Sequence, residues 1–346
     1  MSIGIVGGGI IGLSIAFELV ERGVEAITVY DRDPSQGAGL VAAGMLAPTA
    51  EANFGEDALQ ELMSESMRRW PSFAERVEAR TGVSIAYRTE GTLLVALTAD
   101  DQAEVDRLIG FYRRAGSPIE PLSGRDLRER EPLLAPRVRG GAFAPGDHQV
   151  DPRRLLRALR TLPVRFEARD VNTLSTLRDD VIIVATGAAA AALTGLPVRP
   201  VKGQLLRLRG PEPLLRHVVR GIAGGRDVYL VPRADGELVV GATEEERGAD
   251  TTVTAGGVLD LLRPAADLLP GVAELVLAEA LAGLRPGTPD NAPIIDRLGN
   301  SEVIVAAGHH RNGVLLAPAT AAAVAETVVD KATSIDISAF GAGRFT

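Results

Sequence analysis

The stretch SIGIVGGGIIGLSIAFELVERGVEAITVYDRD, residues 2–33, decides the fold. It opens with a short β run from Ile3 to Val6, and apolar residues then recur at helical spacing until Gly23. A second β run follows from Ala26 to Tyr30. This order predicts the first βαβ unit of a Rossmann-type, dinucleotide-binding α/β fold.

Three glycines and an acid give this unit its chemistry. Gly7 allows the tight turn, Gly9 lets a pyrophosphate approach the backbone, and Gly12 lets the helix pack closely on the strand. The helix N-terminus offers free N–H groups to phosphates. Asp31 follows Gly12 by 19 residues and can accept both hydroxyls of an adenosine ribose. A 2′-phosphate would be repelled there, so NADP is disfavoured, although Arg32 lies next door.

Composition excludes several classes of protein. The 346 residues are 46% hydrophobic, which is enough for a buried core, and the formal net charge of −8 argues against a nucleic-acid partner. Cysteine is absent, so disulfides, thiolate metal sites and a cofactor tethered through sulfur are excluded. Only four histidines occur, and they lack the spacing of a helical metal pair, so we expect no metal. They are His148, His217, His309 and His310.

The apolar N-terminus does not have the features of a targeting signal. No basic region precedes it, and Glu18 and Glu21 interrupt it. No uncharged run reaches the roughly 20 residues that a spanning helix needs. We therefore expect a soluble, cytoplasmic protein without a membrane partner, and a homo-oligomer is compatible with these features.

Both FAD and NAD use the fingerprint, and three later segments favour FAD. GLVAAGMLAP, residues 39–48, is small and glycine-rich, so its backbone can lie against a large flat cofactor. DDVIIVATGAAA, residues 179–190, is a buried β run that stops at Ala185-Thr186-Gly187. Residues 301–329 read as a β run, a glycine turn at Gly308 and a helix of small residues, although ordinary α/β packing would also explain that helix.

A second group of segments predicts an additional sheet. GVSIAYRTEGTLLVAL, GQLLRLRG, RDVYLVPR and GELVVGAT, which start at residues 82, 203, 226 and 236, are β-like. The last two predict a hairpin around Asp235-Gly236.

Arg285 lies in EALAGLRPGTPDNAP, residues 279–293, where an apolar β run ends. A desolvated guanidinium needs an anionic or carbonyl partner. The sequence leaves two explanations open, a structural ion pair with one of the many acids or a bound ligand.

These segments together resemble the D-amino-acid oxidase family of flavoenzymes, and most closely its glycine oxidase group of thiamine biosynthesis. The matching stretches are GIVGGGIIGLSIAFEL, AAGMLAP, PVKGQ, YLVPR, GELVVGATEE, AGLRPGTPDNAPIID and AAGHHRNGVLLAPATA. They keep the family's order over nearly the whole chain and are weakest over residues 57–140. The resemblance implies a discontinuous FAD-binding domain of residues 1–82, 141–200 and 286–346. A substrate domain of residues 83–140 and 201–285, built on a large antiparallel sheet, completes the implied architecture.

The resemblance also implies the activity. Glycine, small D-amino acids or sarcosine would be oxidised to the 2-oxo acid, ammonia (methylamine from sarcosine) and hydrogen peroxide, by direct hydride transfer from Cα to flavin N5, with dioxygen as acceptor. Arg285 would clamp the substrate carboxylate, because arginine offers a planar two-pronged cation. Tyr229 would be a second donor, although a half-buried strand tyrosine is common. Arg311 would lie near substrate and flavin, or would be a capping or surface residue; His310 is interpreted as structural.

Non-covalent FAD is the expected cofactor. The residues expected to bind it are Gly7, Gly9, Ile11, Gly12, Asp31, Arg32, Ala43, Gly44, Met45, Val171, Thr186, Gly187, Gly308, His309, Arg311, Asn312 and Gly313. Glu244 departs from the family, which often has an apolar residue there; its carboxylate would attract the substrate amine or point to solvent. The alternatives are a D-amino-acid oxidase of broader specificity, a dehydrogenase with a non-oxygen acceptor, a sarcosine oxidase-like enzyme, and a non-catalytic FAD-binding protein.

Overall fold

The computed structural model describes residues 1–345, which form sixteen β-strands and nine α-helices. The strands are β1 (Ile3–Val6), β2 (Ile27–Asp31), β3 (Met45–Leu46), β4 (Thr92–Ala96), β5 (Glu120–Ser123), β6 (Gly140–Ala144), β7 (His148–Gln149), β8 (Arg165–Ala168), β9 (Val181–Val184), β10 (Arg199–Arg209), β11 (Val218–Ile222), β12 (Asp227–Pro232), β13 (Glu237–Gly241), β14 (Val276–Gly287), β15 (Ile294–Arg297) and β16 (Val303–Ala307). The helices are α1 (Ile10–Glu21), α2 (Ala38–Val41), α3 (Asp57–Thr81), α4 (Ala99–Arg114), α5 (Gly124–Arg130), α6 (Pro152–Leu159), α7 (Ala190–Thr194), α8 (Ala255–Leu268) and α9 (Ala317–Val329).

A six-stranded sheet carries the predicted dinucleotide-binding unit. Its order is β15-β16-β9-β1-β2-β8, and all neighbours are parallel except β15, which runs antiparallel to β16. Helix α1 is buried between this sheet and neighbouring helices, and Leu13, Ile15 and Phe17 are fully buried. The Rossmann-type α/β fold is confirmed.

An eight-stranded sheet forms the second layer, in the order β14-β10-β13-β12-β11-β4-β6-β5. It is antiparallel as predicted, apart from the parallel pair β4–β11. One face buries Leu206, Leu208, Val240 and Leu230 against α8. The predicted hairpin is confirmed, since β12 and β13 pair with Val231 opposite Val239.

Two local predictions change in the structure. The segment 82–97 was expected to be β-like throughout, but only Thr92–Ala96 is a strand. Positive φ angles at Ala86 (54°) and Gly91 (89°) interrupt the extended backbone before it. Strand β14 continues through Arg285 to Gly287 rather than ending before the arginine, and Arg285 pairs with Val201.

The strands of the two sheets alternate along the chain, so each layer is assembled from separate segments. The residue boundaries of the two proposed domains stay a prediction. Thr346, the last residue of the predicted FAD-binding domain, lies outside the described residues. No helix among residues 1–345 is long and apolar enough to cross a membrane.

Candidate active site

One large cleft of about 1700 Å³ opens between the two sheets. Its walls include the carboxyl ends of β1, β2 and β9 and one face of the eight-stranded sheet. In open α/β sheets, ligands bind at such strand ends. Its lining includes both the glycine turn after β1, where a pyrophosphate would lie, and Arg285 of β14.

The glycine turn after β1 has the predicted geometry. Gly7 has φ of +109°, and a Cβ there would lie 2.4 Å from the Ala185 carbonyl oxygen. A Cβ on Gly12 would lie 2.0 Å from the Gly7 carbonyl oxygen, whereas one on Gly9 would meet nothing within 4 Å. Gly7 and Gly9 line the cleft, and Gly12 acts through packing behind them. Helix α1 begins here without a side-chain cap, so its first N–H groups are available to phosphates.

Asp31 is held in position at the end of β2. Its Oδ2 accepts the Gly8 N–H at 3.0 Å and its Oδ1 accepts the Asp33 N–H at 3.1 Å. The carboxylate lines the cleft, which fits binding of a ribose diol. Arg32 also lines the cleft but is largely exposed, with Asp170 at 4.0 Å.

The remaining predicted cofactor residues mostly converge on the same cleft. Those that line it are Ile11, Ala43, Gly44, Met45, Val171, Thr186, Gly187, His309, Arg311, Asn312 and Gly313. Gly308 does not line it; with φ of +74°, it makes the turn after β16, and a Cβ there would lie 2.5 Å from Thr288. The buried Thr186 hydroxyl has no hydrogen-bond partner among residues 1–345. An unpartnered polar group on this wall fits a cofactor rich in acceptors and donors, such as FAD.

The two histidines at this wall differ in what they contact. His309 is buried, its Nε2 lies 3.0 Å from the Thr320 hydroxyl, and burial lowers its pKa to about 3. His310, which the sequence predicts to be structural, lines the cleft in a left-handed backbone conformation with φ of 45°. Burial lowers the pKa of His310 to about 4, so both imidazoles are neutral at physiological pH.

Arg285 enters the cleft from β14 and lies directly over Gly203 of β10. A Cβ on Gly203 would lie 2.5 Å from Nη1 of the guanidinium. Nη1 donates to the Thr243 carbonyl at 2.9 Å. Within the described chain, no carboxylate lies within 4.0 Å of Arg285. The alternative of a structural ion pair therefore has no support, and the guanidinium keeps donors for a ligand.

Tyr229 lies beside Arg285, and its ring packs against a second glycine, Gly241. A Cβ on its cross-strand neighbour Gly241 would lie 2.3 Å from the phenol oxygen. Burial raises the pKa of Tyr229 to about 12, while the positive charge of Arg285 acts in the opposite direction. The phenol is therefore a protonated hydrogen-bond donor at neutral pH.

Arg311 is part of a charged cluster that the sequence did not predict. Its Nε lies 3.1 Å from Glu51, and Glu51 also accepts from Arg220 of β11. Arg220 donates in addition to the Ala50 carbonyl at 2.6 Å. Glu51, Arg220 and Arg311 all line the cleft. The signal for Arg220 was available, because HVVRGI places a cation inside an apolar β run, as with Arg285.

The buried carboxylate of Asp147 holds the loop that carries Glu51. Asp147 is fully buried, and it accepts the Thr49 and Ala50 N–H groups at 3.0 and 3.1 Å. Burial raises the pKa of Asp147 to about 7, in spite of these hydrogen bonds. The loop therefore has a defined conformation where it borders the substrate end of the cleft.

Glu244 lies at the exposed edge of the cleft. Its carboxylate has neither an ion pair nor a hydrogen bond within residues 1–345. Its neighbours do: Glu245 lies 3.6 Å from Lys202, and Glu246 lies 3.2 Å from Arg199. Glu244 is thus both solvent-exposed and adjacent to the cleft.

The fold and the cleft define a class, the dinucleotide-dependent oxidoreductases that hold FAD on a Rossmann-type domain. The chain belongs to the DAO family of FAD dependent oxidoreductases, whose model matches residues 2–327. This confirms the family and the FAD cofactor that the sequence predicted.

The comparisons with individual proteins agree. A glycine oxidase of Geobacillus kaustophilus (strain HTA426) is 33% identical, over 99% of this chain and 96% of that protein. The bifunctional protein ThiO/ThiG of Trichormus variabilis is 34% identical over 99% of this chain and 54% of its own length. The crystal structure of the Geobacillus kaustophilus glycine oxidase superposes with a TM-score of 0.90, over 98% of this chain and 97% of that one.

Proposed function

We propose that this protein oxidises glycine and other small amino acids with an FAD cofactor. Substrate, dioxygen and water would give the 2-oxo acid, ammonia and hydrogen peroxide. The observation that carries the proposal is Arg285, a cleft-lining guanidinium without an ion pair among residues 1–345, beside the phenol of Tyr229. Similarity to proteins named glycine oxidase supports it.

The protein's own part of the reaction is binding and orientation. Arg285 binds the substrate carboxylate through two parallel N–H donors, and the Tyr229 hydroxyl donates a further hydrogen bond. Arg311, fixed by Glu51, adds positive charge at the same end of the cleft. Bound FAD would supply the chemistry itself, accepting a hydride from the substrate Cα and passing two electrons to dioxygen. Holding Cα in one orientation is therefore the protein's contribution to rate.

FAD would be held by the elements already described. The N-terminus of α1 would take the pyrophosphate, Asp31 the adenosine ribose, and the wall of Gly44 and Thr186 would face the cofactor. Since the chain has no cysteine, the cofactor would be bound without a thioether link.

We also propose a cytoplasmic enzyme that uses dioxygen directly. Similarity to bifunctional ThiO/ThiG proteins supports supply of a thiamine precursor as its role, with amino-acid catabolism as the alternative.

A coupled peroxidase assay on purified, FAD-loaded protein tests the proposal. The panel is glycine, sarcosine, D-alanine, D-proline and L-alanine. Fixing the carboxylate and directing Cα–H to the flavin leaves one place for the amine and one for the side chain, so inversion at Cα moves the hydrogen away. We expect peroxide from glycine and D-alanine, with kcat/KM values within about two orders of magnitude of each other. Robust oxidation of L-alanine, or no peroxide with any amino acid, would contradict the proposal.

A further inference from the structure

A second cavity, of about 410 Å³, is lined almost entirely by charged side chains. Helix α6 contributes Arg153, Arg154 and Arg157. Four more arginines come from the eight-stranded sheet and its connections, namely Arg88, Arg207, Arg209 and Arg233. Within the described part of the chain, three carboxylates line the cavity with these seven arginines: Asp151, Asp235 and Glu237. Two more carboxylates pair with the arginines from outside the lining, Glu279 with Arg153 and Glu90 with Arg88. The arginines therefore outnumber the carboxylates that line the cavity or pair with them, seven to five, in a protein whose overall charge is negative.

This cavity lies on the same face of the eight-stranded sheet as the substrate end of the cleft. Side chains alternate along a strand, so Arg207 and Arg209 of β10 point to the same side as Gly203. Arg207 is four residues from Gly203, about 13 Å along the strand. Arg153 and Arg157 line both spaces, so the two are neighbours with a shared wall.

Two of the arginines are buried with donors left over. Arg207 is 1% exposed; its Nη1 donates to Glu237, while Nε and Nη2 have no hydrogen-bond partner within residues 1–345. Arg233 is 5% exposed; its terminal nitrogens donate to Gln149 and to the Ala43 carbonyl, while its Nε has no partner there. Buried donors without acceptors are costly, and a buried cation more so.

The charges around the cavity also favour binding of an anion. Burial lowers the pKa of Arg233 to about 10; the negative charge of Asp151 opposes this shift, and the positive charge of Arg207 adds to it. Arg157 is exposed and takes part in no ion pair or hydrogen bond in the described chain. An anion in the cavity would accept from the arginines that line it and offset their like charge.

We propose that this cavity is a second binding site, which takes a phosphate dianion as inorganic phosphate or as the phosphomonoester of a small molecule. Guanidinium groups bind phosphate oxygens in pairs, and several arginines around one space suit a dianion better than a single carboxylate. A space of this volume holds a small phosphorylated molecule. The pyrophosphate of FAD would lie at the N-terminus of α1 in the neighbouring cleft, so FAD would leave this cavity free.

Isothermal titration calorimetry on the FAD-saturated holoenzyme tests this site, with sodium chloride added to keep ionic strength constant. The probes are inorganic phosphate and glucose 6-phosphate. We expect one saturable site. Tighter binding of inorganic phosphate would identify free phosphate as its ligand, and tighter binding of glucose 6-phosphate would identify a phosphomonoester. In Arg207→Gln the Kd should rise at least about tenfold, since a charge-assisted donor is lost. Arg209→Gln, in the same cavity but more exposed, should raise it by about threefold or more.

Two controls keep the result specific. Arg125→Gln removes an exposed arginine that pairs with Glu129 outside the cavity, and Arg285→Ala removes the anion-binding group of the cleft. Both should leave the phosphate Kd unchanged. Absence of saturable heat up to about 10 mM, or equal Kd values in Arg125→Gln and Arg209→Gln, would overturn the proposal. If Arg207→Gln does not fold, Arg157→Gln together with Arg209→Gln decides the question. The readout is binding, so it does not depend on amino-acid oxidation.

Discussion

The guanidinium of Arg285 occupies the space that a side chain at Gly203 would fill, because a Cβ there would lie 2.5 Å from Nη1. The two residues lie on neighbouring antiparallel strands, β14 and β10. Because Gly203 has no side chain, the guanidinium of Arg285 can pack directly against the backbone of β10.

Gly203→Ala should therefore displace Arg285 and lower activity without touching the substrate itself. A displaced hydrogen-bonding cation costs about 1–3 kcal/mol, so kcat/KM for glycine should fall about five- to 150-fold. The flavin absorbance spectrum should stay unchanged. Steady-state kinetics of the purified variant provide the measurement.

Gly256→Ala is the matched control, because a Cβ there meets nothing within 4 Å and the residue lies on α8, away from the cleft. Equal kinetic constants for the two alanine variants would show that the contact between Gly203 and Arg285 has no functional role.

Tyr229→Phe should remove one donor to the substrate carboxylate and leave the ring in place. Hydrogen bonds to charged groups contribute about 1.5–3 kcal/mol, so kcat/KM should fall about ten- to 150-fold, mostly through KM. The pKa of about 12 keeps the phenol protonated, so its ionisation should not reduce wild-type activity below about pH 10.5. A wild-type decline with an apparent pKa near 9 that disappears in Tyr229→Phe would contradict this assignment.

Asp147→Asn should change how stability depends on pH. The folded-state pKa of about 7 is above the ordinary value of 3.8, so the folded protein binds more protons between those pH values. The contribution of this group is fully present below about pH 4 and is lost as the pH rises through 7. Asparagine is neutral at every pH, so the variant does not lose this contribution as the pH rises. The variant should therefore gain stability relative to wild type between pH 4 and 7, on the order of 2–4 kcal/mol.

Urea denaturation of both holoproteins at pH 5 and at pH 8, with excess FAD, measures this difference. A difference in the free energy of unfolding that is the same at both pH values would show that Asp147 does not titrate in this range.

The sequence was informative where structure depends on neighbours in the chain. Residues 2–33 predicted β1, α1 and β2 almost to the residue, because periodicity and turn glycines act locally. Arg285 and Tyr229 are predicted as site residues through resemblance; their roles stay a prediction, and the structure adds that each side chain packs over a glycine across the sheet.

Features that depend on distant segments were not predicted. The pairing of Arg311 with Glu51 joins residues 260 positions apart, and the pairing of Glu51 with Arg220 joins residues 169 apart. The arginine-lined cavity takes its residues from α6, β10 and the β12–β13 hairpin. Nothing local in any of these segments indicates that they meet. Segment 82–97 shows the converse error: its composition is β-like, but positive φ angles at Ala86 and Gly91 interrupt the extended backbone before β4.

How FAD is attached to the protein can be tested chemically. Because the chain has no cysteine, flavin should leave the protein on acid precipitation and remain in the supernatant, where its absorbance is read. Flavin that stays with the pellet after washing would indicate a covalent bond to another residue, with a histidine as the first candidate.

Substitution of Arg285 tests the central claim, that this guanidinium binds the substrate carboxylate, most directly. The measurement is kcat/KM for glycine in Arg285→Ala and Arg285→Lys, with the flavin spectrum recorded for both. Losing a partly buried, charge-assisted pair costs about 2–5 kcal/mol, so alanine should reduce kcat/KM by roughly 30- to 5000-fold. Lysine should restore only part of this, because it lacks the planar fork. An alanine variant with intact flavin and a kcat/KM within about threefold of wild type would contradict the claim.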